Sequence, residues 1–435
     1  MEKAVGQRKG LISLLPATRN STPVFLLAID GGGIRSLLSL YALKFIEDEL
    51  GIPISSVFDI ISATSTATLV ATGLVVPNNE KSQEPMYSAD DLIQVITSSM
   101  PEIFPTTLPV DPYITRPRYD TDSLMDFLEV FYPGKFESAL TALVFPVYDR
   151  LSEDQYLFTS WAEIKPELRF QDVLRATVAT PNYFPAADMV VDDEELKLVD
   201  GSLHDYNPTN VVMEEARKNL PFRPTVVLSL GSGTVQKMKP PFIARTPVSP
   251  TWGSPFQDRK IRCQAELIDV YMRRNSFNYS RAQIALSTME DSLLNDFHEE
   301  TEFQPSTLTV LEDVGNRYVD ENRKALLRFC DYFRRRREIK DPLSKRNGWE
   351  LPDTTKVLVS RLHDLMSPLD YIEPDDAEGL ANAKSDLLKC LQAETAEETH
   401  MKYRYYVFKG HPLYKGMKKW MQFFEENSKP YYRYK

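Results

Sequence analysis

Three short stretches of the 435-residue chain have residue types that could perform acyl-transfer chemistry, and the first is Asp30-Gly-Gly-Gly-Ile-Arg35. Consecutive glycines between a strand and a helix let neighbouring backbone N–H groups point into one concavity, where the helix N-terminus adds positive potential. Such a loop stabilises a phosphate or the oxyanion of a tetrahedral acyl intermediate. The Gly-Lys-Ser/Thr ending of a phosphate-binding loop and the G-x-G-x-x-G spacing of a dinucleotide-binding loop are both missing from it. A plain strand-to-helix turn stays open as the alternative.

The second stretch, Ile61-Ser-Ala-Thr-Ser-Thr-Ala-Thr68, places Ser65 between an apolar run and a helical pattern. A serine at such a turn can occupy a strained elbow that exposes its hydroxyl at the edge of a sheet, as a nucleophile requires. The elbow pattern is G-x-S-x-G, and here Ala63 and Ala67 take the places of both glycines. Taken alone, the stretch is better explained by helix capping through Thr64 or Ser65.

The third stretch, Val199-Asp-Gly-Ser202, is an acid followed by glycine at the end of a predicted strand. Alone, this pattern more often marks a turn than a catalytic site. A serine nucleophile usually works with a histidine, but four of the five histidines lie in the C-terminal part of the chain. His204 has no separate acid motif behind it. Asp200 could instead be the base itself, which demands a raised pKa or a close hydrogen bond to the serine.

The elements that would position these residues alternate between strand and helix. Residues 23–29 form a continuous apolar run, as in a strand buried on both faces, and residues 36–50 have apolar side chains at helical spacing. Residues 57–61 predict a second strand, which is followed by the turn around Ser65 and another helix. This order of strand, tight turn and helix predicts a doubly wound α/β sheet.

The rest of the chain predicts an insertion, further strands and a helical region. Residues 78–150 indicate a helical and loop insertion with several prolines, and the pattern beyond about residue 260 is mainly helical. Three apolar runs predict later strands, at residues 143–148, 197–199 and 225–230. We expect three parts in the chain, which are an N-terminal segment 1–22, an α/β domain 23–340 and a mainly helical C-terminal extension 341–435.

Composition restricts the partners and the compartment. The formal net charge of −11 argues against binding to nucleic acid driven by the whole chain. Cys263, Cys330 and Cys390 lie far apart without metal-ligand spacing, so we expect reduced thiols. No stretch approaches the ~20 apolar residues of a membrane span, and the apolar piece at 11–15 is too short for a signal peptide. We therefore expect a cytoplasmic protein.

The C-terminal tail, residues 401–435, interleaves aromatic and basic side chains. Such a mixture could form an interfacial face that places the protein peripherally on a bilayer. The alternative, which we favour, is a helix that packs on the main domain while its lysines extend into water.

Taken together, the three stretches resemble the patatin-like phospholipase family in their order and spacing. That family combines a glycine-rich oxyanion loop, a serine on an elbow and an aspartate in D-G-G or D-G-A. Two further blocks agree with it: residues 176–185 are similar to the family's A-T-S-A-A-P-x-Y-F-P, and residues 227–233 to its L-S-L-G-T-G. The five blocks span about residues 24 to 233, and we take the resemblance to cover roughly the first three quarters of the chain.

The resemblance implies a three-layer α/β/α fold with a mainly parallel sheet, and a lipid acyl hydrolase that needs no metal or organic cofactor. Its substrate would be a fatty-acyl ester of a phospholipid or related lipid. Ser65 would be the nucleophile and Asp200 the base, in a dyad without histidine. The backbone amides of Gly31, Gly32 and Gly33 would form the oxyanion hole.

Several positions depart from the family pattern or stay ambiguous. Ala63 and Ala67 replace the elbow glycines, and Ser202 follows Gly201. Arg35 could orient the glycine loop or meet a phosphate head group, and a structural salt bridge is an equal alternative. The departures leave open a catalytically impaired scaffold that binds lipid or a protein partner. An acyltransferase on the same site is a further alternative, since it differs only in which nucleophile reaches the acyl-enzyme.

Overall fold

The computed structural model describes residues 23–79, 82–103, 117, 119–162, 164, 166–181, 183–220, 225–235, 268–270, 272, 278–294 and 305–336. All of them belong to one of two compact units of the chain, the unit that comprises Met1–Gly253 and Ile268–Gly348. The predicted segment 1–22 and extension 341–435, with the tail 401–435, lie outside the described residues. The division at residue 340 therefore stays a prediction.

Among the described residues, an eight-stranded mixed sheet forms the centre of the fold. Its strands are β1 (Val24–Ile29), β2 (Ile60–Ala63), β3 (Ala142–Asp149), β4 (Asp154–Thr159), β5 (Ala187–Val191), β6 (Glu194–Asp200), β7 (Thr225–Leu230) and β9 (Asn278–Ala282). The order is β5-β6-β3-β2-β1-β7-β9, with β4 paired to β3. The neighbours from β3 through to β9 are parallel, whereas β4, β5 and β6 add antiparallel pairs. Strands β8 (Thr234–Val235) and β10 (Ala285–Leu286) form a separate parallel pair.

The helices of the described ranges connect and cover these strands. They are α1 (Leu38–Leu50), α2 (Ala67–Gly73), α3 (Ala89–Ile103), α4 (Asp122–Phe131), α5 (Phe170–Thr177), α6 (Thr209–Asn219), α7 (Thr288–Leu294) and α8 (Pro305–Arg334). Short 3-10 turns at Gly33–Leu37 and Gly201–Leu203 follow β1 and β6. Within this part of the chain, none of the helices has the length and apolar character needed to cross a bilayer.

Apolar side chains are buried on both faces of the central strands. All residues of β1 are buried, and Phe25, Leu27 and Ile29 join a large apolar core with residues of α1 and α8. Helix α6 packs against β1, β2 and β3, and its buried side chains lie outside that core. Because side chains alternate along a strand, the other residues of β1 point to the face that α6 covers. The predicted α/β architecture with a mainly parallel sheet is confirmed.

One predicted strand boundary needs correction, and one strand was not predicted. The second strand begins at Ile60, where its register with Leu26 of β1 starts, and Ile54–Ser56 before it form a 3-10 turn. In the region beyond residue 260, which was predicted to be mainly helical, β9 adds an edge strand to the main sheet that was not predicted. The sequence of β9, Asn-Tyr-Ser-Arg-Ala, has no apolar run, since its polar side chains pair with buried groups of the sheet. Its strand character therefore left no hydrophobic signal.

Candidate active site

Ser65 stands in the turn that joins the end of β2 to the start of α2. Its φ of 59° lies in the left-handed region, which non-glycine residues rarely adopt. Strain of this kind costs about 1 to 3 kcal/mol and persists where the surrounding contacts hold it. The Oγ of Ser65 donates a hydrogen bond of 2.6 Å to Oδ2 of Asp200, although the two residues are 135 positions apart. Ser65 thus combines a strained turn with an acceptor for its proton.

Hydrogen bonds from neighbouring threonines hold this turn in place. The Oγ1 of Thr64 donates to the carbonyl of Asp205 at 2.7 Å. The Oγ1 of Thr66 donates to the carbonyl of Gly33 at 2.9 Å, which ties the serine turn directly to the glycine loop. The serine turn and the glycine loop, predicted separately from the sequence, are therefore held together by a hydrogen bond.

Ala63 and Ala67, which stand where the elbow pattern has glycine, fit without backbone strain. Ala63 is the last residue of β2 and Ala67 the first of α2, and both are fully buried in the apolar core. Neither is among the described residues with positive φ, whereas Ser65 between them is. The conformation of the turn therefore does not require glycine at either position.

Asp200 ends β6 and lies almost entirely out of contact with solvent. Its Oδ2 accepts hydrogen bonds from Ser65 Oγ and Thr180 Oγ1, both of 2.6 Å. Its Oδ1 accepts one of 2.8 Å from the backbone N–H of Ser202. Burial raises the pKa of Asp200 above its ordinary value of 3.8, and the hydrogen bonds from Ser65, Thr180 and Ser202 oppose this rise. A buried carboxylate with a raised pKa is suited to accept a proton from a hydroxyl.

The glycine after Asp200 is required by a close approach to β3. A Cβ placed on Gly201 would lie 2.1 Å from the carbonyl oxygen of Pro146, far inside the contact distance of real atoms. In the Asp-Gly pair, the aspartate therefore supplies the hydrogen-bond acceptor at the end of β6. The glycine lets the chain turn close to β3.

The glycine loop runs directly beside the serine. A Cβ on Gly31 would lie 3.4 Å from the Cβ of Ser65, and φ is 151° at Gly32 and 59° at Gly33. The N–H of Gly31 donates to the carbonyl of Tyr206 at 3.1 Å, whereas those of Gly32 and Gly33 have no acceptor among the described residues. Of the three amides predicted to form the oxyanion hole, those of Gly32 and Gly33 are therefore the two without a protein acceptor in the described residues.

A buried ion pair fixes the start of the glycine loop, and one of its members, Arg281, stands in no motif of the sequence. The guanidinium of Arg281, on β9, contacts the carboxylate of Asp30 through Nη2 at 2.5 Å and Nη1 at 3.1 Å. Nη1 also donates to Ser229 Oγ at 2.6 Å. Burial raises the pKa of Asp30, and the Arg281 guanidinium opposes that rise. An aspartate directly after a fully apolar strand did signal the need for a cation, but not which one.

Arg35 makes the structural salt bridge that was one of its three interpretations. Its Nη1 lies 2.8 Å from Oδ1 of Asp291 on α7, and both side chains are largely buried. This contact connects the end of the glycine loop to α7. A role of Arg35 in binding a head group stays a prediction without a supporting contact.

His204 contacts the carboxylate of the residue that follows it. Its Nδ1 lies 2.8 Å from Oδ2 of Asp205, the following residue. The acidic neighbour was visible in the sequence, but adjacent residues of a strand or turn usually point apart. The acceptor in contact with the hydroxyl of Ser65 is Asp200.

The described residues contain no group of three or more His, Cys, Asp or Glu side chains that could hold a metal ion. Cys330 is buried in α8, and burial raises the pKa of its thiol to about 11. Such a thiol stays protonated at neutral pH and is a poor nucleophile. Cys263 and Cys390 lie outside the described residues.

Comparison with known proteins gives matches over most of the described region. The sequence model of the patatin-like phospholipase family matches residues 27–213, which include the glycine loop, Ser65 and Asp200. Patatin-like protein 2 of Oryza sativa subsp. indica is 26% identical over 358 residues, which cover 69% of this chain and 84% of that protein. Patatin-like protein 2 of Arabidopsis thaliana is 26% identical over 383 residues, covering 73% and 93%. Among solved structures, VipD from Legionella pneumophila aligns over 99% of this chain and 93% of its own, with 11% identity and a TM-score of 0.33.

Proposed function

Because the chain belongs to the patatin-like phospholipase family through residues 27–213, we propose that it is a serine lipid acyl hydrolase. Its substrate is a fatty-acyl ester of a phospholipid or a related lipid. The observation that carries the proposal is the hydrogen bond of 2.6 Å from Ser65 Oγ to Asp200 Oδ2, made from a turn with positive φ.

In the first half of the reaction, Ser65 Oγ bonds to the acyl carbonyl carbon while its proton moves to Asp200. The carbonyl oxygen becomes an oxyanion, and its collapse breaks the ester C–O bond. The leaving alcohol takes the proton from Asp200. Water then attacks the acyl-enzyme while Asp200 takes its proton, and Ser65 Oγ regains that proton as the fatty acid leaves.

The acceptor environment supports Asp200 in this role. A general base works best when its pKa approaches the operating pH, and burial moves the pKa of Asp200 in that direction. The 2.6 Å contact satisfies the geometric requirement for direct proton transfer without an intervening histidine.

The amides of Gly32 and Gly33 are suited to stabilise the oxyanion. Their N–H groups have no acceptor among the described residues, and the 3-10 turn and α1 that follow place a helix N-terminus behind them. A preorganised donor of this kind lowers an acyl-transfer barrier by about 3 to 4 kcal/mol.

A non-catalytic scaffold is the second candidate, because Ala63 and Ala67 stand where the family pattern has glycine. Both methyl groups are buried, and neither residue has a positive φ. The two alanines therefore argue against the hypothesis of a non-catalytic scaffold more than for it. An acyltransferase would use the same dyad with an alcohol in place of water. The cytoplasmic location and a membrane contact through the tail 401–435 stay predictions.

The proposal is tested by labelling the full chain with a fluorophosphonate probe, which bonds to activated serines. We expect labelling of the wild type and none of Ser65→Ala. Ser62→Ala is the matched control, because Ser62 lies on β2, the strand that leads into the turn of Ser65, and its buried hydroxyl has no partner in the described structure. An unlabelled wild type, or Ser65→Ala labelled as fast as the wild type, would contradict the proposal.

A further inference from the structure

The carboxylate of Asp200 accepts a hydrogen bond that a Ser–Asp dyad does not need. Thr180 Oγ1 donates to Oδ2 at 2.6 Å, to the same oxygen and at the same distance as Ser65 Oγ. An ionised carboxylate can only accept, so the Thr180 hydroxyl must be the donor. The base oxygen of the proposed mechanism is therefore shared between two hydroxyls.

The hydroxyl of Thr180 is a feature of this chain rather than of the motif in which it stands. Residues 176–185 are similar to A-T-S-A-A-P-x-Y-F-P, and Thr180 stands where this motif has the alanine directly before proline. Its backbone is fixed, since its carbonyl accepts hydrogen bonds from the N–H groups of Tyr183 and Phe184, both of 3.0 Å. The Thr180 hydroxyl thus reaches Asp200 from a rigid turn.

We propose that Thr180 is a positioning residue that keeps Asp200 ionised and fixes its Oδ2 toward Ser65. A buried carboxylate without a nearby cation depends on hydrogen bonds to remain charged. These hydrogen bonds come from the hydroxyls of Ser65 and Thr180 at Oδ2 and from the N–H of Ser202 at Oδ1, and the side chain of Ser202 contributes a further one. Of the two hydroxyls that donate to Oδ2, that of Thr180 is the one that does not react in the proposed mechanism. The consequence for rate rests on the proposed function, whereas the consequence for the charge of Asp200 does not.

The titratable groups around Asp200 are engaged elsewhere. His204 and Asp205, in the turn after it, contact each other. Asp149 on the neighbouring strand β3 accepts from backbone N–H groups, and Asp30 on β1 pairs with Arg281. The main influences on the pKa of Asp200 are its burial and the hydrogen bonds from Ser65, Thr180 and Ser202.

The test compares Thr180→Val, which loses the hydroxyl at nearly constant volume, with Thr180→Ser, which keeps it. Thr141→Val is the matched control, because its buried hydroxyl donates to the carbonyl of Ser55 in the 3-10 turn before β2. Thr141 directly precedes β3, whereas Asp200 pairs with Val147 further along that strand. The first readout is the pH dependence of fluorophosphonate labelling of the full chain. We expect the acidic limb of Thr180→Val to move up by about 0.5 to 1 pH unit, while Thr180→Ser restores the wild-type limb.

The second readout is the melting temperature as a function of pH, which needs no activity. Loss of the Thr180 hydroxyl raises the pKa of folded Asp200 further above 3.8, so the variant loses stability as the pH rises. We expect the melting-temperature deficit of Thr180→Val to grow with pH above 3.8. The growth should vanish in an Asp200→Asn background, where no carboxylate titrates.

The two readouts separate the two ideas. An unchanged labelling limb together with a pH-independent deficit, as in Thr141→Val, would overturn the role of Thr180. An unlabelled wild type with a pH-dependent deficit that Asp200→Asn removes would reject the hydrolase proposal and support the role of Thr180 in keeping Asp200 charged.

Discussion

The guanidinium of Arg281 holds the carboxylate of Asp30 through contacts of 2.5 and 3.1 Å, between residues 251 positions apart. Asp30 directly follows β1 and begins the glycine loop, and Arg281 belongs to the edge strand β9. The pair therefore makes the position of the loop dependent on a strand from the C-terminal half of the described unit. Both side chains are buried, so neither can exchange its partner for water.

Arg281→Met should destabilise the protein by about 3 to 5 kcal/mol, because it leaves the buried Asp30 without its cation. The loss should be larger at neutral pH than near pH 3.8, since removal of the guanidinium raises the pKa of Asp30 and protonation then relieves the cost. Urea unfolding at several pH values measures it. The double variant Asp30→Asn/Arg281→Met should be more stable than Arg281→Met alone, and equal losses in both would show that the ion pair is not the cause.

Asp200→Asn should lower the rate of ester hydrolysis about 100- to 10,000-fold, because the amide cannot accept the proton of Ser65. In the wild type, kcat/KM should fall as the pH falls through the pKa of Asp200, which burial places above 3.8. Steady-state rates from acid to neutral pH measure both effects. A variant with wild-type rates would exclude Asp200 as the base.

Gly32→Ala should abolish labelling of Ser65, because its Cβ would lie 2.5 Å from Ser232 Oγ and displace an oxyanion donor. Gly51→Ala is the matched control: it also has a positive φ, of 67°, but nothing lies within 4 Å of its Cβ. We expect the control to lose about 1 to 2 kcal/mol of stability, the cost of an alanine in the left-handed region, and to keep its labelling rate. Equal labelling of the two variants would contradict a role for the loop in the site.

Ala63→Gly and Ala67→Gly restore the glycines of the family pattern, yet they should not raise activity. Neither position has a positive φ, and both methyl groups are buried in the core. Each variant should lose about 0.5 to 1 kcal/mol of stability through backbone entropy, and more through the lost methyl contacts. Thermal unfolding and labelling rates measure this. A roughly tenfold faster labelling of either variant would show that the alanines do impair the elbow.

The amino-acid sequence determined the frame of the fold and the positions of its candidate nucleophile and base. The apolar run of β1 and the helical spacing of α1 arise from contacts that repeat along the chain, so they leave periodic signals. Ser65 and Asp200 stand in short motifs beside such elements. The order of these motifs along the chain identified the two residues as the candidate nucleophile and base. The same motifs also indicated the resemblance to the patatin-like phospholipase family before any distance was known.

The tertiary structure alone decided how these residues meet. The Ser65–Asp200 hydrogen bond joins residues 135 positions apart, and the engagement of the Gly31 amide by Tyr206 depends on a distant turn. Strand β9 escaped notice because its polar side chains pair inside the protein and leave no hydrophobic period. Long-range polar contacts depend on geometry rather than on periodic composition, and for that reason neither Arg281 nor the hydroxyl of Thr180 could be assigned a partner from the sequence.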